Sequence, residues 1–131
     1  MAQDASAGPA PRVLVIVPAY NEERSVGRVV ERIRASVPEA DVLVIDDGST
    51  DSTAQSAGSA GAMVISLPFN LGIGGAVQTG FRHAMEHGYS AAVQVDADGQ
   101  HPPEEIPRLL ETLKREGADM VVGSRFIQDT G

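Results

Sequence analysis

Cysteine is missing from the sequence. That excludes disulfides and thiolate metal sites and fits a reducing compartment. Positive charge is scarce: ten Lys and Arg stand against eighteen Asp and Glu, a net charge of −8. A nucleic-acid partner held through phosphate contacts is therefore not expected. Long apolar runs are a third absence. No stretch reaches the ~20 residues of a membrane-spanning helix, so any membrane contact of these residues is expected to be peripheral. Residues 1–11 are rich in Ala, Gly and Pro and lack the apolar core of a signal peptide. They are expected to form a disordered lead-in to one domain over residues 12–131.

What is present suffices for a single core: 42% of the 131 residues are hydrophobic. Apolar, largely β-branched runs occur at Val13–Val17, Val42–Ile45, Ala62–Leu67 and Ala91–Val95, with a fifth at Met120–Val122. Such runs suit strands covered on both faces. Between them lie helical spacings: Val26, Val29, Val30 and Ile33, then Val77, Phe81 and Ala84, then Ile106, Leu109, Leu110 and Leu113. Asp51–Ser59 is a weaker helix with Ser49 or Thr50 available as its cap. Strand and helix alternate throughout, which predicts a doubly wound α/β sheet.

Ligands of such sheets sit beyond the carboxyl ends of the strands. There the chain places Pro18-Ala19-Tyr20-Asn21-Glu22, Asp46-Asp47-Gly48-Ser49, Pro68-Phe69-Asn70-Leu71-Gly72 and Asp96-Ala97-Asp98-Gly99-Gln100-His101. Asp96 and Asp98 are the sharpest signal. Two carboxylates converging at a strand end repel unless a cation lies between them. Oxygen-only ligation suits a hard divalent ion, with Mg²⁺ typically shared with substrate phosphates. Asp is also common at such turns because it caps helices, so the pair alone is not decisive. An EF-hand is excluded, since its sixth and twelfth positions fall on His101 and Pro107. Of the adjacent Asp46 and Asp47, strand alternation sends only one into the cleft. Asp47 is expected to meet a nucleobase or ribose, and Asp46 to make a supporting bond. Tyr20 offers a flat face and Glu22 offers acceptors, although a packed aromatic and a first-turn carboxylate explain them equally.

Other features read as structural. Gly72-Ile73-Gly74-Gly75 fails the dinucleotide fingerprint, whose last Gly falls on Val77, and lacks a Walker lysine. It is expected to be a permissive entry to a helix. Arg24, Arg28 and Arg32 recur every four residues, as a solvated face in preference to a lipid contact. His83 and His87 are read as surface histidines, and His101 is the histidine nearest the paired carboxylates.

Four segments in this order and spacing resemble the family 2 glycosyltransferases of the GT-A type. They are Val-Pro-Ala-Tyr-Asn-Glu (17–22), Val-Ile-Asp-Asp-Gly-Ser-Thr-Asp (44–51), Asn-Leu-Gly-Ile-Gly-Gly-Ala (70–76) and Asp-Ala-Asp-Gly-Gln-His-Pro-Pro (96–103). Gln100-His101-Pro102 and Gly123-Ser124-Arg125-Phe126 are similar to the polyprenyl-phosphate sugar transferases within that family. The resemblance implies a Rossmann-like GT-A fold, a mostly parallel sheet with helices on both faces that ends after the fifth strand. It implies inverting transfer of a sugar from a nucleotide-diphosphate sugar, of the GDP-mannose or UDP-glucose class, with Mg²⁺ or Mn²⁺. By matching positions, Pro18, Tyr20, Glu22, Ile45 and Asp47 line the nucleoside pocket. Asp96, Ala97, Asp98 and Gln100 lie at the diphosphate and metal, with Asp96, Asp98 and Gln100 as ligands. Arg125 helps neutralise the phosphates. The implied acceptor is a polyprenyl phosphate or another cell-envelope molecule, and the implied location is cytoplasmic, at the inner face of the membrane.

Family members continue past the Ser-Arg-Phe motif into the part carrying the acceptor site, so no residue here is assigned as a catalytic base. The 131 residues are expected to bind a donor weakly, to hydrolyse it slowly at most, and to self-associate through apolar surface that a following segment would cover. A sugar-1-phosphate nucleotidyltransferase would share fold and metal, but it begins with a Gly-rich basic loop where this chain has Pro18–Glu22. A non-catalytic nucleotide-binding or assembly module is the alternative from another class, and turnover distinguishes it.

Overall fold

Five parallel strands form one sheet in the computed structural model, which describes residues 12–100, 102–116 and 120–121. They are β1 (Val13–Ala19), β2 (Asp41–Asp46), β3 (Met63–Ser66), β4 (Ala91–Gln94) and β5 (Met120–Val121). The intervening helices are α1 (Val26–Ser36), α2 (Thr53–Ser59), α3 (Ile73–Glu86) and α4 (Ile106–Glu116), the last entered through a 3₁₀ turn at Pro103–Glu105. The spatial order is β3-β2-β1-β4-β5. The chain steps outward from β1 to β3, then returns to the other side of β1. This reversal between β1 and β4 opens a crevice at their carboxyl ends.

The period of two along each strand divides the core. Val15, Val17, Val42, Val44 and Val93 pack with Val26, Val29, Val30 and Ile33 of α1, Ala57 of α2, and Ile106 and Leu109 of α4. Leu14, Ile16, Leu43, Ile45 and Ala92 face Ala76 and Ala84 of α3. Helices thus cover both faces, as the alternation of elements predicts.

Three expectations need correction. The apolar spacing of α3 put Val77 and Phe81 inward, but its fully buried residues are Ala76, Gly80 and Ala84, with Val77 and Phe81 partly buried beside them. Gly80 is required there because a Cβ would collide with the Ile16 side chain. The α2 helix starts at Thr53, and neither Ser49 nor Thr50 caps it. The Asp51 carboxylate does, accepting from Thr53 N–H at 2.9 Å. Strand β3 is an edge strand, exposed or partly exposed along its length.

Strand β1 also runs through Pro18 to Ala19, two residues beyond the apolar run. Its ladder with β4 ends where the Val95 N–H donates to the Ile16 carbonyl at 2.9 Å. The two-residue period turns Pro18 toward β4 as well, and proline has no N–H to continue the ladder. On the other side β1 stays paired with β2 as far as Ala19↔Asp46. The sheet therefore parts between β1 and β4 at the place where the order reverses.

Candidate functional site

The loop after β1 is held by the loop after β2. Asn21 adopts φ +52°, a left-handed conformation that Asn tolerates better than most residues. Three successive main-chain N–H groups donate to side chains from the second loop. Asn21 N–H reaches Ser49 Oγ at 2.8 Å, Glu22 N–H reaches Thr53 Oγ1 at 2.8 Å, and Glu23 N–H reaches Asp51 Oδ2 at 3.3 Å. In return, Thr50 N–H donates to Asn21 Oδ1 at 2.8 Å and Ser52 N–H to Glu23 Oε1 at 2.9 Å. The Thr53 hydroxyl donates to Asp51. Desolvation would raise the Asp51 pKa, but hydrogen bonds from Thr53 and Glu23 outweigh it and hold that carboxyl below its usual value.

The two aspartates ending β2 are both buried. Asp46 accepts from Ser49 N–H at 3.1 Å and from the Ser66 hydroxyl at 3.1 Å. Asp47 accepts from Leu71 N–H at 2.7 Å through one oxygen and from Gly72 N–H at 3.0 Å through the other. Asn70 Nδ2 donates to the Asp47 carbonyl at 3.2 Å. Asp47 therefore anchors the loop that leads into α3. Gly72 turns that loop at φ +90°, a value costly for any residue with a side chain.

These loops enclose a cavity of ≈ 230 Å³ lined by Pro18, Ala19, Tyr20, Glu22, Asp47, Asn70, Gly72, Ile73 and Ala76. Tyr20 and Ile73 are among the exposed large hydrophobic residues of the chain and border the cavity with apolar surface. A wider groove of ≈ 840 Å³ between α1 and α2 contains no residue singled out as a ligand. We place the site at the smaller cavity because acidic groups from separate strands meet beside it.

Across the crevice, Asp96 accepts from Gln94 Nε2 at 3.3 Å, and exposed Asp98 accepts from Gln100 N–H at 3.0 Å. Ala97 between them is 1% exposed and belongs to the core. The Ser25 hydroxyl donates to its carbonyl at 2.7 Å. Glu22 is the link between the two sides. Burial raises its pKa, a main-chain hydrogen bond from Tyr20 opposes this, and the negative charges of Asp98, Asp96 and Asp51 raise it further. Three carboxylates from the ends of β1 and β4 thus share one acidic field.

Pro18, Tyr20, Glu22 and Asp47 lie together at the cavity. Ile45 does not. It is fully buried on the α3 face of β2 and is not among the lining residues, so its expected pocket position is corrected to a core position. Alternation along the strand gives Ile45 to the core and leaves Asp47, two residues on and past the strand end, to the loop. Gln100 is exposed and contributes a main-chain N–H to Asp98. His101 and Arg125 lie outside the described residues. Among the described residues no group of three or more His, Cys, Asp and Glu is disposed to hold a metal ion. The sequence reading missed Asn70, Gly72 and Ile73 as lining residues, although the segment 70–76 signalled a loop of interest. It also missed Ser25 and Thr53, whose partners lie 72 and 31 residues away.

Comparison with known proteins follows this geometry. The sequence model described as Glycosyl transferase family 2 matches residues 14–131. An undecaprenyl-phosphate mannosyltransferase of Micrococcus luteus is 46% identical over 121 residues, covering 88% of this chain and 49% of the relative. A polyprenol monophosphomannose synthase of Mycolicibacterium smegmatis is 38% identical over 129 residues, covering 94% and 48%. Among solved structures, glucosyl-3-phosphoglycerate synthase from Mycobacterium tuberculosis in complex with Mn²⁺, UDP and glucosyl-3-phosphoglycerate superposes with a TM-score of 0.65. It is 29% identical, and the match covers 83% of this chain and 41% of that one. The chain spans about half the length of the curated relatives it matches.

Proposed function

The chain belongs to glycosyl transferase family 2, and from that premise we propose that it forms the donor-binding part of a metal-dependent, inverting glycosyltransferase. The donor is a nucleotide-diphosphate sugar of the GDP-mannose or UDP-glucose class. The acceptor is a polyprenyl phosphate or another cell-envelope molecule. The observation that carries this is the cavity bordered by Tyr20 and Asp47 beyond the strand ends, with Glu22 on its wall close enough to Asp98 and Asp96 for their charges to raise its pKa.

In this reading the cavity takes the nucleoside. Tyr20 and Ile73 supply apolar walls for a base. Asp47, each of whose oxygens accepts one main-chain N–H from Leu71 or Gly72, retains a second lone pair on each for donors on the ligand. Pro18 keeps the crevice open. The diphosphate lies toward Asp96, Ala97, Asp98 and Gln100, and Arg125, by its place in the sequence motif, adds positive charge.

The donor set fits a hard divalent cation. It consists of carboxylate oxygens without nitrogen or sulfur, and Mg²⁺ is commonly held by one or two carboxylates plus substrate phosphates. Among the described residues no group of three or more His, Cys, Asp and Glu is disposed to hold a metal ion, so a cation on these two carboxylates would need further ligands from the nucleotide. Asp96 and Asp98 would hold it, and Mg²⁺ and Mn²⁺ both suit these oxygens. When bound it supplies positive charge to the departing nucleoside diphosphate. Asp96 and Asp98 fix the position of that charge, and the walls around Tyr20 hold the nucleoside in place while the sugar–phosphate bond breaks. A lipid phosphate is already anionic at neutral pH, so it attacks without a protein base. The acceptor class is supported by the printed names of the two mannosyl-transferring relatives. No helix among the described residues is long and apolar enough to cross a membrane. In this reading a polyprenyl-phosphate acceptor would bring these residues to the cytoplasmic face of the membrane.

Calorimetric titration of UDP-, GDP- and dTDP-sugars, each with MgCl₂ or MnCl₂ and again with EDTA, tests this. Binding of one donor class, strengthened by the cation, is expected. Absence of binding throughout the panel overturns the proposal.

A further inference from the structure

We propose that Ser25 is the positioning residue for the paired carboxylates, acting through the main chain of Ala97. The inference rests on the donor-site reading. Ser25 occupies the N-cap of α1, where a serine hydroxyl ordinarily accepts an N–H from the first helical turn. Here it makes no such bond. Capping is done by the Glu22 carbonyl, which accepts from Ser25 N–H at 3.1 Å and from Val26 N–H at 2.9 Å. The Ser25 hydroxyl instead donates at 2.7 Å to the carbonyl of the residue between Asp96 and Asp98.

The geometry gives this single bond unusual leverage. The Ala97 side chain is sealed in the core, so one end of the peptide is fixed by packing and the other by Ser25. With both fixed, the chain directions leaving toward Asp96 and Asp98 are fixed too. The same helix supports the rest of the connection. Val29, one turn on, lies 3.8 Å from where a Cβ on Gly99 would stand. Arg32 donates to both oxygens of Glu104, at 3.0 and 2.6 Å. Three points along α1 thus meet Ala97, Gly99 and Glu104. The helix begins just after Glu22, so it sets the spacing between Glu22 and the carboxylates across the crevice.

The hydroxyl touches neither the nucleoside cavity nor the carboxylate oxygens. A positioning role therefore predicts a selective defect. UDP and GDP affinities are measured by calorimetry in MnCl₂ and in EDTA, with Mn²⁺ affinity followed by electron paramagnetic resonance. Ser25→Ala is expected to lower Mn²⁺ affinity and the manganese-dependent gain in nucleotide affinity by about 10-fold, the low end for groups that support metal ligands. Affinity in EDTA should stay at the wild-type value, and Ser25→Thr, which keeps the hydroxyl, should restore the gain. If Ser25→Ala does not fold, Ser25→Cys keeps the volume with only a weak donor and is read in the same way. An unchanged manganese-dependent gain in the folded variant overturns the proposal. So does an equal loss with and without manganese, which marks a general collapse of the loop. Wild-type protein that binds neither nucleotide in MnCl₂ overturns the donor-site reading and this proposal together.

Discussion

The two banks of the crevice are built in opposite ways. On the β2 side, the loops after β1, β2 and β3 are tied to one another by many side-chain–main-chain hydrogen bonds, and the Asp46 and Asp47 carboxylates are committed to internal donors. On the β4 side, Asp96 and exposed Asp98 have one weak or local donor each. One bank is finished before a ligand arrives; the other leaves its negative charge uncompensated. A preformed wall suits recognition of a rigid, largely neutral base, because little ordering remains when it binds. Uncompensated carboxylates suit a cation, which supplies the positive charge that the protein does not.

The widest test of this contrast is Asp98→Ala. Removing a proposed cation ligand from the unfinished bank should cut the metal-dependent part of nucleoside-diphosphate affinity by about 100-fold, the upper end for damage around metal ligands. It should leave thermal stability unchanged or slightly raised. Unaltered affinity by calorimetry would mean that the cation sits elsewhere.

On the finished bank the same chemistry should behave differently. Asp47→Asn sets an amide NH2 against the main-chain N–H of Leu71 or Gly72 and should cost about 1–3 kcal/mol of stability in urea unfolding, whereas Asp46→Asn can keep its oxygen on Ser49 N–H and donate to the Ser66 hydroxyl, so it should cost less. Only Asp47→Asn should also weaken binding of a nucleoside without phosphates, with no dependence on metal. Equal binding losses in two folded variants would erase the distinction between the neighbours.

The smallest effect concerns Glu22, which belongs to both banks. Its pKa in the folded protein is raised above 4.5, chiefly by burial and then by the neighbouring aspartates. A carboxyl raised on folding favours the folded state while protonated. That contribution is lost as pH climbs from the unfolded value through the folded one. Glu22→Gln should therefore melt slightly higher than wild type at pH 7, and the difference should shrink as pH falls and vanish well below pH 4.5, where both states are protonated. A melting difference independent of pH, followed by calorimetry, would place its cause in packing.

Sequence patterns revealed the strands because short apolar runs, largely β-branched in β1 to β3, mark all of them, and the parallel sheet followed from their alternation with helices. Two things were hidden, for physical reasons. The buried face of α3 is made of Ala76, Gly80 and Ala84, which carry little hydrophobic signal, while the more apolar Val77 and Phe81 sit beside it. The cap of α2 went to Asp51 because Ser49 and Thr50 bond Asn21, 28 and 29 residues away, and no local pattern reports such a partner. The site was legible as residue types at strand ends. Which of them line the cavity was less so: Ile45 and Asp47 are two residues apart, yet one closes the core and the other anchors a loop.

The bonds between the first two loops carry a further consequence, for how the molecule opens. Asn21, Glu22 and Glu23 each give their amide to a different side chain, and Thr50 and Ser52 give theirs back. Each of these five bonds ties the first loop to the second, so losing the register of the two loops breaks them together. Their hydrogens should exchange together, as one cooperative unit with a shared opening free energy. The wall of loops beside the cavity is therefore expected to open as a whole.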